Sequence, residues 1–164
     1  MSDWQWVPAD SAHRGGTRPM PPKLIVLHAT AGTDSLSWLT TNPASAVSSH
    51  VLIRRDGHIY RLVEDQGVAW HAGPARLRKY GGPGQPNVNN VSFGIELENL
   101  NDGVQPYPAV QLVACARVIV AWWGLYGFLP LLAHAAIQSN KTDPRGLHWY
   151  DLWEAIRTQL TPYQ

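Results

Sequence analysis

Hydrophobic positions along the chain fall into runs of distinct period. Residues 23–28 (KLIVLH) are apolar without interruption until His28, as in a strand covered on both faces. Residues 91–98 (VSFGIELE) alternate instead. A strand's period of two sets Ser92, Gly94, Glu96 and Glu98 on one face and Phe93, Ile95 and Leu97 on the other. Two β-rich runs, 47–55 and 58–63, flank Asp56-Gly57 and predict a hairpin. Helical patterns cover 34–40, 109–124 and 150–159. The second of these is apolar nearly all round and must be buried on most sides, whereas the last is amphipathic. Residues 1–22, rich in Pro, Gly and polar side chains, read as an extended arm laid over a core at 23–160. Between strands, residues 71–90 are dense in Gly and Pro, and a long irregular segment of this kind predicts a binding loop. Strands mixed with buried helices give an α/β fold, a sheet with helices packed on it.

Composition narrows the function classes. A chain of 164 residues suits one domain and buries about 70% of its unfolded surface. A net charge of +1 gives no reason to expect a nucleic-acid partner, which needs clustered cations. Arg76, Arg78 and Lys79 form one small basic cluster that solvation explains. The single cysteine, Cys115, excludes an internal disulfide or a zinc ribbon, and its apolar helical setting reads as a buried thiol. Residues 118–133 carry no charge, but 16 residues broken by Gly124, Gly127 and Pro130 fall short of the roughly 20 of a membrane span. They read as core, with no stable membrane insertion. No apolar run of signal-peptide length opens the chain, so it is expected to be cytoplasmic where it is made. A monomer is expected.

His28, at the end of a buried strand, stands where active-site groups of open α/β sheets tend to lie. His134 follows the apolar run LPLLA, and Asp143 comes nine residues later in NKTDPRG. Two imidazoles and a carboxylate make a three-ligand zinc site with a fourth position for water. The same set also suits a non-haem iron centre. Spacing alone does not single out this triple among seven histidines and 12 acidic residues. The chain has no H-E-x-x-H, G-x-S-x-G, Walker or C-x-x-C motif.

The ordered series LIVLHATAG, SSHVLIRRDGHIYRLV, AWHAG, NNVSFGIELEN and AHAAIQSNKTDPRGLHW resembles the zinc-dependent N-acetylmuramoyl-L-alanine amidases of the second type. That family includes cell-wall recycling amidases and phage endolysins and shares its fold with peptidoglycan recognition proteins. The resemblance runs from about residue 23 to 158. It implies a mixed central β-sheet flanked by α-helices, a zinc cofactor and a peptidoglycan substrate. It also implies that His28, His134 and Asp143 are the zinc ligands, that Glu96 is the catalytic acid/base and that Lys141 stabilises the oxyanion. The chemistry wants the same set: zinc lowers the pKa of a bound water to about 7, a carboxylate moves the proton to the leaving amine, and a cation stabilises the tetrahedral intermediate.

Many relatives carry a catalytic Tyr where this chain has Ser49, so the proton work is expected to rest on Glu96. His50 is either a hydrogen-bond partner of the metal ligands or a core histidine. Glu98 is expected to accept a hydrogen bond from a ligating histidine. His71 and, beside it, Trp70 are expected to line the substrate groove, while Trp122, Trp123, Trp149 and Trp153 are expected to pack in the core. The reading is an amidase that cuts between N-acetylmuramic acid and L-alanine. Its rivals are a recognition module that binds peptidoglycan without cutting it and an iron oxygenase. Only 22 residues separate His28 from His50, which leaves little room for a lid and favours an endolysin acting on polymer over a recycling enzyme.

Overall fold

The structure, a computed structural model, describes residues 4–73, 75 and 87–161. The basic cluster Arg76, Arg78 and Lys79 and most of the Gly- and Pro-rich loop lie outside the described residues. Eight strands are described: β1 (Gln5–Trp6), β2 (Arg14–Thr17), β3 (Leu24–Ala29), β4 (Val51–Ile53), β5 (Ile59–Arg61), β6 (Gly67–Ala69), β7 (Ser92–Leu97) and β8 (Leu131–Ala133). Four helices accompany them: α1 (Ser35–Thr40), α2 (Ala109–Tyr126), α3 (His134–Ile137) and α4 (Trp149–Leu160). Six strands form one sheet in the order β1-β5-β4-β7-β3-β8, and β2 pairs with β6 in a second. The main sheet is mixed. Strands β4, β7, β3 and β8 run parallel to one another, and β5 is antiparallel to β4.

The alternation of β7 sorts its side chains as the sequence requires. Phe93, Ile95 and Leu97 are fully buried against α2, in a core that takes in Ile25, Leu27, Ile119, Trp122, Leu152 and Ile156. Phe93 stacks on Trp122 with ring centroids 4.2 Å apart. Leu24 and Val26 turn to the opposite face and meet Ala72, Val88 and Val91. Helix α2 is thus core, and Cys115 within it is a buried free thiol whose pKa burial pushes up to about 12. The helix runs past Gly124, where a side chain would meet open space, and ends on Gly127 at φ +76°, a left-handed position that favours glycine.

The N-terminal arm is tied to the core by strand pairing. It contributes strands: β1 lies parallel to β5 and β2 antiparallel to β6. Arg18 just beyond β2 is buried, its guanidinium 4.7 Å above the Phe93 ring. The hairpin is shorter than the β-rich runs around it, pairing Val51 with Arg61 and Ile53 with Ile59. Residues 48–50 lie outside β4 yet keep backbone partners: Ser48 N donates to the Trp70 carbonyl, His50 N donates to the Gly94 carbonyl, and the His50 carbonyl accepts from Leu62 N at 2.9 Å.

At Gly94 the second face of the sheet is crowded. A Cβ there would lie 2.5 Å from His71 Cγ and 2.9 Å from its Nδ1. Overpacking of this kind costs about 1–3 kcal/mol, so Gly94→Ala should lower the unfolding free energy by that amount. Removing the ring in Phe93→Ala should cost about 3–5 kcal/mol through loss of packing. Urea denaturation measures both; a Gly94→Ala protein as stable as wild type would show that His71 is not held against β7.

Candidate metal centre and groove

Three parallel strands deliver the site. β3 ends near His28, β7 carries Glu96 in register beside it, and β8 is followed at once by His134 in the first turn of α3. Groups at the carboxyl ends of neighbouring parallel strands share one crevice, the usual ligand position of open α/β sheets. The loop after α3 brings in Asp143. Its carbonyl accepts from Ala135 N at 3.0 Å, which ties the loop to α3. Asn101, at φ +57°, holds the same loop from the other side: its Oδ1 accepts from Arg145 N at 2.7 Å and its Nδ2 donates to Thr142 Oγ1 at 3.1 Å.

His28, His134 and Asp143 are all buried, and one ligand atom from each lies within 4.8 Å of the others. His134 Nδ1 is 3.0 Å and His28 Nδ1 3.3 Å from the same oxygen, Asp143 Oδ2. On the far side of its ring, His134 Nε2 faces Gln138 Oε1 at 3.2 Å. An amide oxygen only accepts, so Nε2 donates to it, and Nδ1 is the nitrogen that faces Asp143. Burial lowers His28 to about 4, against the opposing pull of Asp143, so its imidazole is neutral at pH 7. Burial works to raise the Asp143 carboxyl, but the adjacent His134 and His28 imidazoles outweigh it and hold the group well below the usual carboxylate range. A buried anion flanked by two imidazoles is a donor set for a divalent cation, and it fits zinc by ligand type and number.

Glu96 lines the groove beside this centre. Its Oε2 is buried and has no hydrogen-bond partner among the described residues. Burial raises Glu96 to about 8, with the negative charge of Asp143 adding to the shift and Lys141 opposing it. A cation held among the three ligands acts in the same direction as Lys141. Lys141 is exposed and lines the same groove, of about 610 Å3, together with Thr30, Asn101, Asn140 and Thr142. The other wall is α1, which presents Trp38, 45% exposed, beside Val47.

Other expected site residues lie in different surroundings. Glu98 does not meet a histidine: its Oε2 accepts from Arg54 Nε and Arg55 N, both at 3.4 Å, beyond the end of β7. Trp70 does not line the groove. Adjacent residues of an extended chain point to opposite sides, and Trp70 packs beside Gly15 of β2, with Nε1 3.2 Å from where a Cβ would be. His50 is a core histidine whose Nδ1 accepts from Gly94 N at 3.0 Å, while Arg18 Nη2 lies 2.7 Å from its Nε2. Ser49 is fully buried and donates to the Val51 carbonyl at 2.9 Å. His71 does line the groove, but it also touches His28, with Nδ1 2.9 Å from His28 Nε2. Trp38 went unnoticed in the sequence because α1 is too short and polar to mark a functional face.

Comparison with known proteins identifies the family of the chain. The family model described as N-acetylmuramoyl-L-alanine amidase matches residues 18–146, a span that contains His28, Glu96, His134, Lys141 and Asp143. N-acetylmuramoyl-L-alanine amidase AmiD of Escherichia coli (strain K12) is 36% identical over 143 residues, 76% of this chain and 49% of that protein. Among solved structures, a selenomethionine derivative of AmpD superimposes with a TM-score of 0.79 at 27% identity, covering 95% of this chain and 96% of that one. The AmiD structure from E. coli in complex with the substrate anhydro-N-acetylmuramic acid-L-Ala-D-gamma-Glu-L-Lys gives a TM-score of 0.69 at 32% identity, covering 82% of this chain and 57% of that one. This chain spans about half the length of the curated relatives it matches. With fold, site-bearing segment and relatives in agreement, the chain belongs to the N-acetylmuramoyl-L-alanine amidase family.

Proposed function

We propose that this chain hydrolyses the amide between the lactyl group of N-acetylmuramic acid and L-alanine, with zinc held by His28, His134 and Asp143. The observation that carries the reading is the unpartnered Glu96 carboxylate oxygen, placed in register with His28 at the edge of the three-ligand cluster. When bound, zinc supplies Lewis acidity and lowers the pKa of a water to about 7. Glu96 takes the proton of the attacking water and delivers it to the leaving amine of L-alanine. A buried carboxylate raised to about 8 suits a group that must both accept and donate a proton near neutral pH. Lys141, on the groove wall, sets its positive charge against the developing oxyanion. Trp38 and Val47 give the opposite wall an apolar surface for the sugar and peptide.

Two substrates are compatible with this chemistry. Between β3 and β4 the chain forms only the six-residue α1, which supports access for intact wall polymer and an endolysin role. The complexed relative AmiD, crystallised with an anhydro-muropeptide, supports a small soluble substrate as the second reading. Mass spectrometry of products from purified sacculi and, separately, from anhydro-muropeptides decides between them. Either way, new L-alanine amino groups should appear without new reducing sugar ends. New reducing ends in step with solubilisation would make the protein a glycosidase, and binding without either product would make it a recognition module.

The roles of Glu96 and Lys141 are tested by turnover at saturating zinc. Glu96→Gln should keep zinc and substrate binding but lose roughly 100- to 10,000-fold in rate, the usual worth of general acid–base catalysis. Lys141→Met should lose roughly 100- to 1,000-fold through the missing oxyanion partner. Ser49→Ala, whose hydroxyl meets only the Val51 carbonyl, should leave the rate nearly unchanged. A Glu96→Gln enzyme of near wild-type rate would move the catalytic base to another residue.

A further inference from the structure

The hydrogen bonds of Ser92 decide which nitrogen of His71 carries a proton. Ser92 Oγ donates its one proton to the Val88 carbonyl at 2.6 Å. At 3.1 Å from His71 Nε2 it can therefore only accept, and Nε2 must be the protonated nitrogen. In the neutral His71 ring the proton on Nε2 leaves Nδ1 without one. Its Nδ1 is then a bare acceptor, 2.9 Å from His28 Nε2, which must be the donor. His28 is left with its lone pair on Nδ1, the nitrogen that faces Asp143 Oδ2.

The direction of this chain matters because His28 has an alternative. With the proton on Nδ1 it would hydrogen-bond Asp143 directly, and the lone pair needed by a cation would be gone from the cluster. An acceptor at Nε2 removes that alternative by rewarding the other tautomer. The scaffold around the acceptor is tight. Ser92 is fully buried, and Gly94 leaves just enough room for the His71 ring, since a Cβ would come within 2.5 Å of it.

We propose that His71 and Ser92 are positioning residues that fix the tautomer of His28, through a one-way chain of hydrogen bonds anchored on the Val88 carbonyl, and so hold its Nδ1 open to a divalent cation. The inference rests on the metal reading of the cluster but not on the amide as substrate. It gives His71 a task that neither Glu98 nor His50 performs, although both lie at the ends of neighbouring strands. Carbonyl- or carboxylate-held histidine ligands are a common arrangement; here a second imidazole and a hydroxyl carry the contact to the backbone.

The test uses metal affinity. Zinc binding by the metal-free protein is measured in competition with a chromophoric chelator, and the visible spectrum of the cobalt(II)-loaded protein reports ligand geometry. His71→Leu removes the acceptor and should weaken zinc binding about 10- to 100-fold, the usual effect of losing such a partner. It should also alter the cobalt spectrum. His71→Gln supplies an amide oxygen that can accept from His28 Nε2 and should recover most of the affinity. Ser92→Ala frees His71 to take either tautomer and should weaken zinc in the same direction as His71→Leu. Zinc bound as tightly by folded His71→Leu as by wild type overturns the proposal, and so does a glutamine variant as weak as the leucine one. Should His71→Leu not fold, unchanged zinc affinity in Ser92→Ala overturns it alone. No substrate enters these measurements, so a wild-type protein that binds zinc yet cleaves no muropeptide would count against the amidase reading only.

Discussion

One carboxylate oxygen shared between two imidazole nitrogens is the contact around which this structure is arranged. Asp143 Oδ2 meets His134 at 3.0 Å and His28 at 3.3 Å, with all three residues buried. A buried charge needs compensation, and the two imidazoles supply only part of it. The fold brings the three together from separate parts of the chain: the end of β3, the first turn after β8, and a loop pinned by Ala135 and Asn101. Each tether acts on backbone or on a short polar side chain, which keeps the cluster on rigid elements.

The sheet divides its labour between faces. Phe93, Ile95 and Leu97 anchor β7 into the core under α2, and the same strand turns Ser92, Gly94 and Glu96 toward the site. These three positions do different things. Ser92 accepts from His71, Gly94 makes room for it, and Glu96 reaches the groove with an oxygen that finds no protein partner. Stability and chemistry are thus written in alternate residues of six consecutive positions.

That alternation is why so much of the site was legible. The period of two in 91–98 gives Glu96 its face, and His28 stands out because a polar group closes an apolar run. Other features carry no such period. β8 is three residues on the sheet edge, so it reads only as an apolar stretch before His134. β1 and β2 are short and mostly exposed, and their pairing is set by partners far along the chain. Trp70 was misplaced by its adjacency to His71, although neighbours in extended chain face opposite ways. Glu98 shares the face of Glu96 but lies two residues on, within reach of Arg54 instead of the histidines. His50 could not be assigned from sequence because its partners, Arg18 and Gly94, are distant in the chain.

The cation site proposed at His28, His134 and Asp143 depends on the carboxylate. Isothermal titration of zinc into the metal-free wild-type protein and into Asp143→Ala tests it most directly, with circular dichroism confirming the fold of each. Wild type should bind one zinc per chain, and Asp143→Ala should lose that tight site while remaining folded. A folded Asp143→Ala protein that still binds one zinc with wild-type affinity would contradict the account.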